Sequence, residues 1–139
     1  MIIKAYERLP QEAVQIRTAV FVEEQGFNEE FDTIDNISTH LVLFSDDKAA
    51  AVCRFYFDDV KKEYFIGRLA VLPQYRGKGY GADLVSEAES IIRLRGGKSI
   101  SLHSQCQAQR FYEKLGFSAF GESDFDEDCP HQWMKKILN

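Results

Sequence analysis

Between Phe65 and Gly81 the chain reads Phe-Ile-Gly-Arg-Leu-Ala-Val-Leu-Pro-Gln-Tyr-Arg-Gly-Lys-Gly-Tyr-Gly, and no other stretch limits the fold so tightly. A β-prone apolar run gives way at Pro73 to three alternating glycines, Gly77, Gly79 and Gly81, and from Ala82 to Leu94 the apolar residues recur at helical spacing. The pattern predicts a strand, a tight turn and a helix start. Glycines at alternate positions permit positive φ and leave no Cβ between the main chain and a ligand. The first turn of a helix leaves about four N–H groups without partners and carries roughly half a positive charge. Its natural guest is an anion, most often a phosphate, and Arg76 and Lys78 add charge beside it. A helix entry that holds nothing also tolerates glycine, so the turn alone leaves both readings open.

Two well-known phosphate loops do not fit. The Walker pattern needs Gly-Lys followed by Ser or Thr, whereas Gly77-Lys78 is followed by Gly79 and Tyr80. The dinucleotide fingerprint needs Gly-x-Gly-x-x-Gly near the first strand, and here Gly-x-Gly-x-Gly stands in mid-chain. Arg76-x-x-Gly79-x-Gly81 after Leu69-Ala70-Val71 and Pro73 instead resembles the acyl-CoA pyrophosphate loop of the GCN5-related N-acetyltransferases (GNAT). The resemblance spans nearly the whole chain. Ala108-Gln-Arg-Phe-Tyr-Glu-Lys-Leu-Gly-Phe117 looks like the superfamily's second signature. Arg17, Val20-Phe-Val-Glu-Glu-Gln25, Glu30-Phe-Asp32, Asp35 and His40 are similar to its small ElaA/YjcF-like branch, as are Leu102-His-Ser-Gln105, Pro130-His131 and Met134.

At 139 residues the chain is expected to form one domain, residues 1–139, able to bury about two-thirds of the surface of its unfolded form. No apolar run approaches the roughly 18 to 20 residues of a membrane span, and Met1-Ile-Ile-Lys lacks the form of a signal peptide. A cytoplasmic protein without membrane contacts is expected. Cys53, Cys106 and Cys129 are too few and too scattered for a disulfide framework or a zinc site, so reduced thiols and no metal are expected. A net charge of −5 argues against a nucleic-acid binder, whose affinity rests on lysine and arginine. A cationic small molecule is easier to accommodate.

Along the chain, Met1 to Tyr6 reads as an edge strand and Gln11 to Gln25 as a helix stopped by Gly26. Phe27 to Asn36 reads as an acidic, aromatic loop or broken helix. Strands are predicted over Thr39 to Ser45, Ala49 to Phe57, Tyr64 to Leu72 and Ser99 to His103, a helix over Gln105 to Leu115, and a final strand pair, Phe117 to Gly121 and Gln132 to Leu138, around the acidic loop Glu122 to Asp128. The order β-α-β-β-β-α-β-α-β-β suggests an α/β fold, a mixed sheet with helices on both faces. It matches the acyl-CoA N-acyltransferase fold that the resemblance implies, with its sheet splayed between two parallel strands.

The resemblance also implies a chemistry: an acetyl-CoA-dependent N-acetyltransferase acting on a primary amine of a small molecule by direct attack in a ternary complex. Acyl-CoA would be held by Arg76, Gly77, Lys78, Gly79, Tyr80 and Gly81 at its pyrophosphate and by Leu69, Ala70 and Val71 along its pantetheine arm. Gln105, Ala108, Phe111 and Tyr112 would lie near the thioester. By helical geometry alone Tyr112, beside Phe111, is a core aromatic; at the family's motif position its hydroxyl protonates the leaving thiolate. An alkylammonium has a pKa near 10, so a base is needed, and the candidates are Glu24, His131, His40 and His103, with Glu63 weaker. Similar sequences carry Gly-Ile-Pro-His where this chain has Asp128-Cys129-Pro130-His131. Cys106 next to Gln105 is read as a small apolar residue. A non-catalytic acyl-CoA sensor of the same fold is the alternative, and a homodimer is allowed for. Two acidic stretches, Glu23, Glu24, Glu29, Glu30, Asp32 and Asp35, and Glu122, Asp124, Asp126, Glu127 and Asp128, are expected to rim the acceptor site and favour a cation, unless they are merely solvated loops.

Overall fold

The chain opens as an antiparallel meander. In the computed structural model, which describes residues 1–28 and 30–139, β1 (Ile2–Tyr6), β2 (Thr39–Ser45), β3 (Lys48–Asp58) and β4 (Glu63–Val71) pair in sequence order. The cores of β2 and β3 read as continuous apolar runs because helices cover both of their faces. Their two-residue turn, Asp46-Asp47, has φ of 51° and 66°, a twist that matches the flanking strands and that aspartate tolerates.

From β4 the chain crosses through α2 (Tyr80–Leu94) to β5 (Ser99–Gln105), which runs parallel to β4. It then enters α3 (Gln109–Lys114), and β6 (Ser118–Ala119) and β7 (Asp124–Asp126) flank β8 (Cys129–Ile137), which lies antiparallel to β5. The strand order is β1-β2-β3-β4-β5-β8-β6, with β7 also on β8. The helix α2, with Leu84, Val85, Ala88 and Ile92, buries one face of the sheet; α1 (Gln11–Arg17), with Ala13 and Ile16, buries the other over Val42, Val52 and Ala70.

β4 and β5 pair only at Tyr64 with Ile100 and Phe65 with Ser101, and beyond those residues they diverge. A bulge in β4 lies at the divergence. Val52 stands opposite Ala70 and Arg54 opposite Gly67, so Cys53 faces two residues, Arg68 and Leu69. Arg68 takes φ of 52°, the left-handed region that a non-glycine residue enters only when its surroundings impose it. The extra residue bends and twists β4 away from β5.

Three arginines hold the wall of this opening. Arg17, 1% exposed, donates from Nε to Glu30 Oε1 at 2.7 Å and from Nη1 to Asp35 Oδ1 at 2.8 Å. Arg54 donates to Asp32 at 2.6 Å and to Asp35 at 2.9 Å, and Arg68 reaches Glu30 at 3.0 Å and Asp32 at 3.3 Å. His40, also buried, donates from Nε2 to the Asp35 carbonyl at 3.0 Å, and burial pushes its pKa down. Glu30 and Asp35, each 5% exposed, are therefore internal counter-charges and not members of an acidic rim. Glu29 lies outside the described residues.

Several elements differ in detail from the sequence expectation. The first helix is α-helical only to Arg17 and continues as a π-helical stretch, Thr18–Glu24, because Gln25 and Phe27 donate back to Val20 and Phe21. Gln105 ends β5, and a short 3₁₀ turn, Cys106–Ala108, precedes α3. Glu127 and Asp128, with φ of 48° and 68°, close a tight hairpin, so the expected acidic loop contains β7, and β8 begins at Cys129.

Burial pushes the Asp35 carboxyl up, but hydrogen bonds and charge from Arg17 and Arg54 outweigh it and hold it at about 2, against an ordinary 3.8. Glu30 moves the other way, raised because desolvation outweighs its arginines. A depressed carboxylate stabilises the fold above its unfolded pKa and ceases to do so as pH falls through the folded value. Asp35 therefore contributes about 2 kcal/mol that disappears between roughly pH 4 and pH 2. Asp35→Asn leaves buried guanidinium under-compensated and should cost about 3 kcal/mol in urea unfolding at pH 7. The loss should shrink toward pH 2; a variant as stable as wild type at pH 7 would show that the network does not hold the loop.

Candidate active site

The divergence of β4 and β5 opens a cleft of about 750 Å³. Past Phe65, the β4 edge that faced β5 has no strand partner among the described residues, so its main-chain groups are available to a guest. Leu69, Ala70 and Val71 line the cleft from this strand, Arg76, Gly77, Gly79, Tyr80 and Gly81 from the loop and helix start, and Ala108, Phe111 and Tyr112 from the turn and α3. Glu24, Gln105 and His131 line it as well. Among the residues predicted to hold acyl-CoA, Lys78 is the one set apart, exposed with its ammonium 5.6 Å from the centre of the Tyr75 ring.

The glycine loop has an anion-binding form. Gly77 and Gly79 both take φ of 81°, and a Cβ at either would meet nothing within 4 Å, so conformation, not crowding, selects glycine there. Gly81 is different: it is helical, and its Cβ would lie 3.2 Å from the Phe111 ring. The first helical bond of α2 runs from Asp83 N–H to the Gly79 carbonyl at 3.0 Å. No side chain caps Gly79, which leaves the N–H groups of Tyr80, Gly81 and Ala82 without helical acceptors. Tyr80 anchors the turn through a 2.8 Å hydrogen bond between its hydroxyl and Ser45 Oγ.

Arg76 is not a free cation. Its Nε donates to the Val71 carbonyl at 3.0 Å and its two terminal nitrogens grip both oxygens of Glu24 at 2.8 and 2.7 Å. The hydrogen bond from Arg76 lowers the Glu24 pKa, and the pair spans from the loop to the end of the π-helical stretch. A carboxylate so engaged is a weak proton acceptor, and a guest anion must share Arg76 with it.

Tyr112 is 9% exposed, packed between the rings of Phe111 and Phe117 at 5.0 and 5.9 Å. Its hydroxyl makes no hydrogen bond among the described residues, and burial raises its pKa, so the phenol keeps its proton. His131 is 5% exposed. Its Nδ1 lies 2.9 Å from the Cys129 carbonyl. A carbonyl only accepts, so Nδ1 carries the hydrogen and Nε2 is the nitrogen left to take up a proton. Phe27 meets the ring edge-on at 6.4 Å.

The remaining candidates are placed elsewhere or occupied. His40 belongs to the arginine network, and Glu63 accepts from Ser101 and pairs with Lys135. His103 lines the cleft, but its Nε2 lies 2.6 Å from Asp124 Oδ1. Cys106 is a free thiol, as are Cys129 and the buried Cys53, whose pKa burial pushes up to about 12. Sequence reasoning missed Phe27 and Gln107, whose amide donates to Gln105, which in turn donates to Gln25 at 2.7 Å.

A free strand edge leading to a glycine turn and a helix N-terminus, with a buried phenol and an imidazole on the same cleft, is an arrangement suited to acyl-CoA-dependent acyl transfer. The model of the Acetyltransferase (GNAT) family matches residues 5–117, and the chain belongs to that family. It is 32% identical over 139 residues to the uncharacterized N-acetyltransferase YjcF of Bacillus subtilis, covering 98% of this chain and 97% of YjcF. The crystal structure of Escherichia coli ElaA superposes with a TM-score of 0.83 at 28% identity, covering 97% of this chain and 99% of ElaA. An aminoglycoside 6′-N-acetyltransferase complexed with coenzyme A shares the fold with a TM-score of 0.75 at 18% identity, covering 99% of this chain and 97% of that one.

Two substitutions test the loop. Gly79→Asp forces a side chain into positive φ and sets a carboxylate at the helix N-terminus, so calorimetric CoA binding should disappear while the fold persists. Retained affinity in a folded variant would remove the loop from the binding site. Glu24→Gln releases Arg76 and should tighten CoA about two- to fivefold at low salt, an effect that added salt erases. Weaker binding would mean that Glu24 acts by positioning Arg76.

Proposed function

We propose that this chain transfers an acetyl group from acetyl-CoA to a primary amine of a small molecule, by direct attack while both substrates occupy the cleft. The observation that carries the reading is that one cleft joins the glycine loop, the unpaired β4 edge, the Tyr112 phenol and Nε2 of His131. The loop N–H groups would hold the pyrophosphate, and the free edge of β4 would pair with the amide-bearing arm and turn a main-chain N–H toward the thioester carbonyl. His131 would take the proton from the attacking nitrogen at Nε2 as the N–C bond forms. Tyr112 would hydrogen-bond the sulfur and protonate it as the C–S bond breaks. Burial disfavours a phenolate, but it disfavours the thiolate too, so the transfer need not run uphill.

His131 is favoured over Glu24 as the base because its Nε2 has no hydrogen-bond partner among the described residues, whereas both Glu24 oxygens are held by Arg76. The acceptor half of the cleft supports an amine over an anion. Arg68 is neutralised by Glu30 and Asp32, Arg76 by Glu24, and Asp126 lines the cleft from β7. Among the described residues no lysine lines it.

Tyr112→Phe keeps the ring and removes the donor, so kcat in an acetyl-CoA consumption assay should fall by about 10² to 10⁴ with CoA affinity and Tm nearly unchanged. A rate equal to wild type would withdraw the role at sulfur. A screen over polyamines, amino acids, aminoglycosides and peptides should return a cationic acceptor whose kcat/KM falls as salt rises, and Asp126→Asn with Glu127→Gln should lower kcat/KM further at nearly constant kcat. CoA binding without turnover of any amine would favour a sensor of the same fold.

A further inference from the structure

His103 and Asp124 have no part in the transfer as proposed, yet they sit against the ring that would accept the proton. The strand register puts them there: Asp124 stands opposite His131 on β7, Gln105 opposite His131 and His103 opposite Trp133 on β5. Alternation along β5 and β8 places all these side chains on one face. The ring of His103 lies 4.6 Å from that of His131 at 31°, and on its other side 4.4 Å from Trp133 at 22°. Its Nε2 lies 2.6 Å from Asp124 Oδ1. A carboxylate only accepts, so Nε2 carries the hydrogen and the ring is pinned as a donor to an anion.

We propose that Asp124 and His103 are positioning residues for His131, holding its ring and stabilising the positive charge it acquires on taking the proton of the acceptor amine. The proposal rests on the reading of His131 as the base. Two effects act together. An imidazole that donates to a carboxylate is electron-rich, and its face attracts a cation held within about 6 Å. The Asp124 carboxylate adds direct attraction: the His103 hydrogen bond holds its pKa below the ordinary carboxylate range, and the charge of His131 contributes in the same direction. On its far side the protonated ring would still donate from Nδ1 to the Cys129 carbonyl.

The other groups around His131 do not supply this balance. Gln105 and Phe27 are neutral; across the cleft Glu30 is paired with Arg17 and Arg68, and Glu24 with Arg76. Asp126 lines the cleft two residues along β7 but does not touch His103. Asp124 is therefore the carboxylate tied to the stacked pair.

Asp124→Asn separates charge from shape, because an amide oxygen still accepts from Nε2 and preserves the stack. The test is an NMR titration of the imidazole signals in the substrate-free protein, with His131 assigned through His131→Gln, beside kcat/KM against pH for acetyl-CoA and the fastest amine of the screen. In Asp124→Asn the His131 titration should move to lower pH by about one unit, and the acid limb of kcat/KM by the same amount. kcat should fall several-fold with KM for acetyl-CoA unchanged. His103→Phe keeps a ring face without its link to the carboxylate, and should give a smaller shift in the same direction. An unmoved titration in both folded variants would overturn the proposal. A titration that moves while the acid limb does not would support the coupling and refute His131 as the base, so the two readings fail separately.

Discussion

The wall of the cleft rests on three buried or half-buried guanidinium groups set against three carboxylates. Arg17 comes from α1, Arg54 from β3 and Arg68 from the β4 bulge, while Glu30, Asp32 and Asp35 all come from the connection between the first helix and β2. That connection spans residues 25 to 38, and its regular structure among the described residues is one short 3₁₀ turn, Thr33–Ile37. Charge pairing in a poorly solvated site holds it, together with the packing of Phe27 on the core. Replacing such a network by apolar residues can leave stability unchanged, whereas removing one partner strands a buried charge. Its value here lies in direction: carboxylates from one connecting segment meet guanidiniums set on a helix and two strands, and the contacts fix where Glu30, Asp32 and Asp35 lie. The Nε of Arg54, buried without an acceptor, marks the cost of joining so many charges in one place.

The same network bears on the bulge. A non-glycine residue at positive φ costs of order 1 to 3 kcal/mol and persists only when its surroundings over-determine it. Arg68 is over-determined by Glu30 and Asp32, so the bend in β4 and the ion network support each other. The bend turns a strand of a closed sheet into one side of a cleft, and the unpaired edge of β4 follows. In the proposed reaction main-chain groups would carry much of the binding, with side-chain chemistry left to Tyr112 on one side and to the rings around His131 on the other. In the first case burial removes competing hydrogen bonds from a phenol; in the second a carbonyl fixes which nitrogen can accept.

The alternating glycines, the apolar strand before them and the helical period after them were legible in the residues themselves, because backbone freedom at Gly77 and Gly79 and hydrophobic periodicity are local properties. The succession of strands and helices along the chain was legible for the same reason. Element boundaries were not where tertiary contacts override local pattern: Gln105 reads as a helix residue and ends a strand, and Asp124–Asp126 reads as loop and pairs with β8. Tyr112 and His131 could be named from motif resemblance, but from helical spacing alone Tyr112 is one more aromatic in the core.

Charge is where local pattern misleads most. A row of acidic residues looks the same whether it faces solvent or meets arginines 13 to 38 residues away along the chain, since nothing in Glu30, Asp32 or Asp35 records that Arg17, Arg54 and Arg68 converge on them. Arg76 likewise reads as a free cation beside a phosphate site until Glu24, 52 residues earlier, is found on both of its terminal nitrogens. The sequence by itself determined the turn and the helix start, because short-range sterics and periodicity depend only on neighbours, while the family of the fold was legible only through the resemblance of its motifs. Which charges are free, which nitrogen of His131 can accept and how His103 is held against it were decided by the tertiary structure, because electrostatic and stacking partners are set by distance in space.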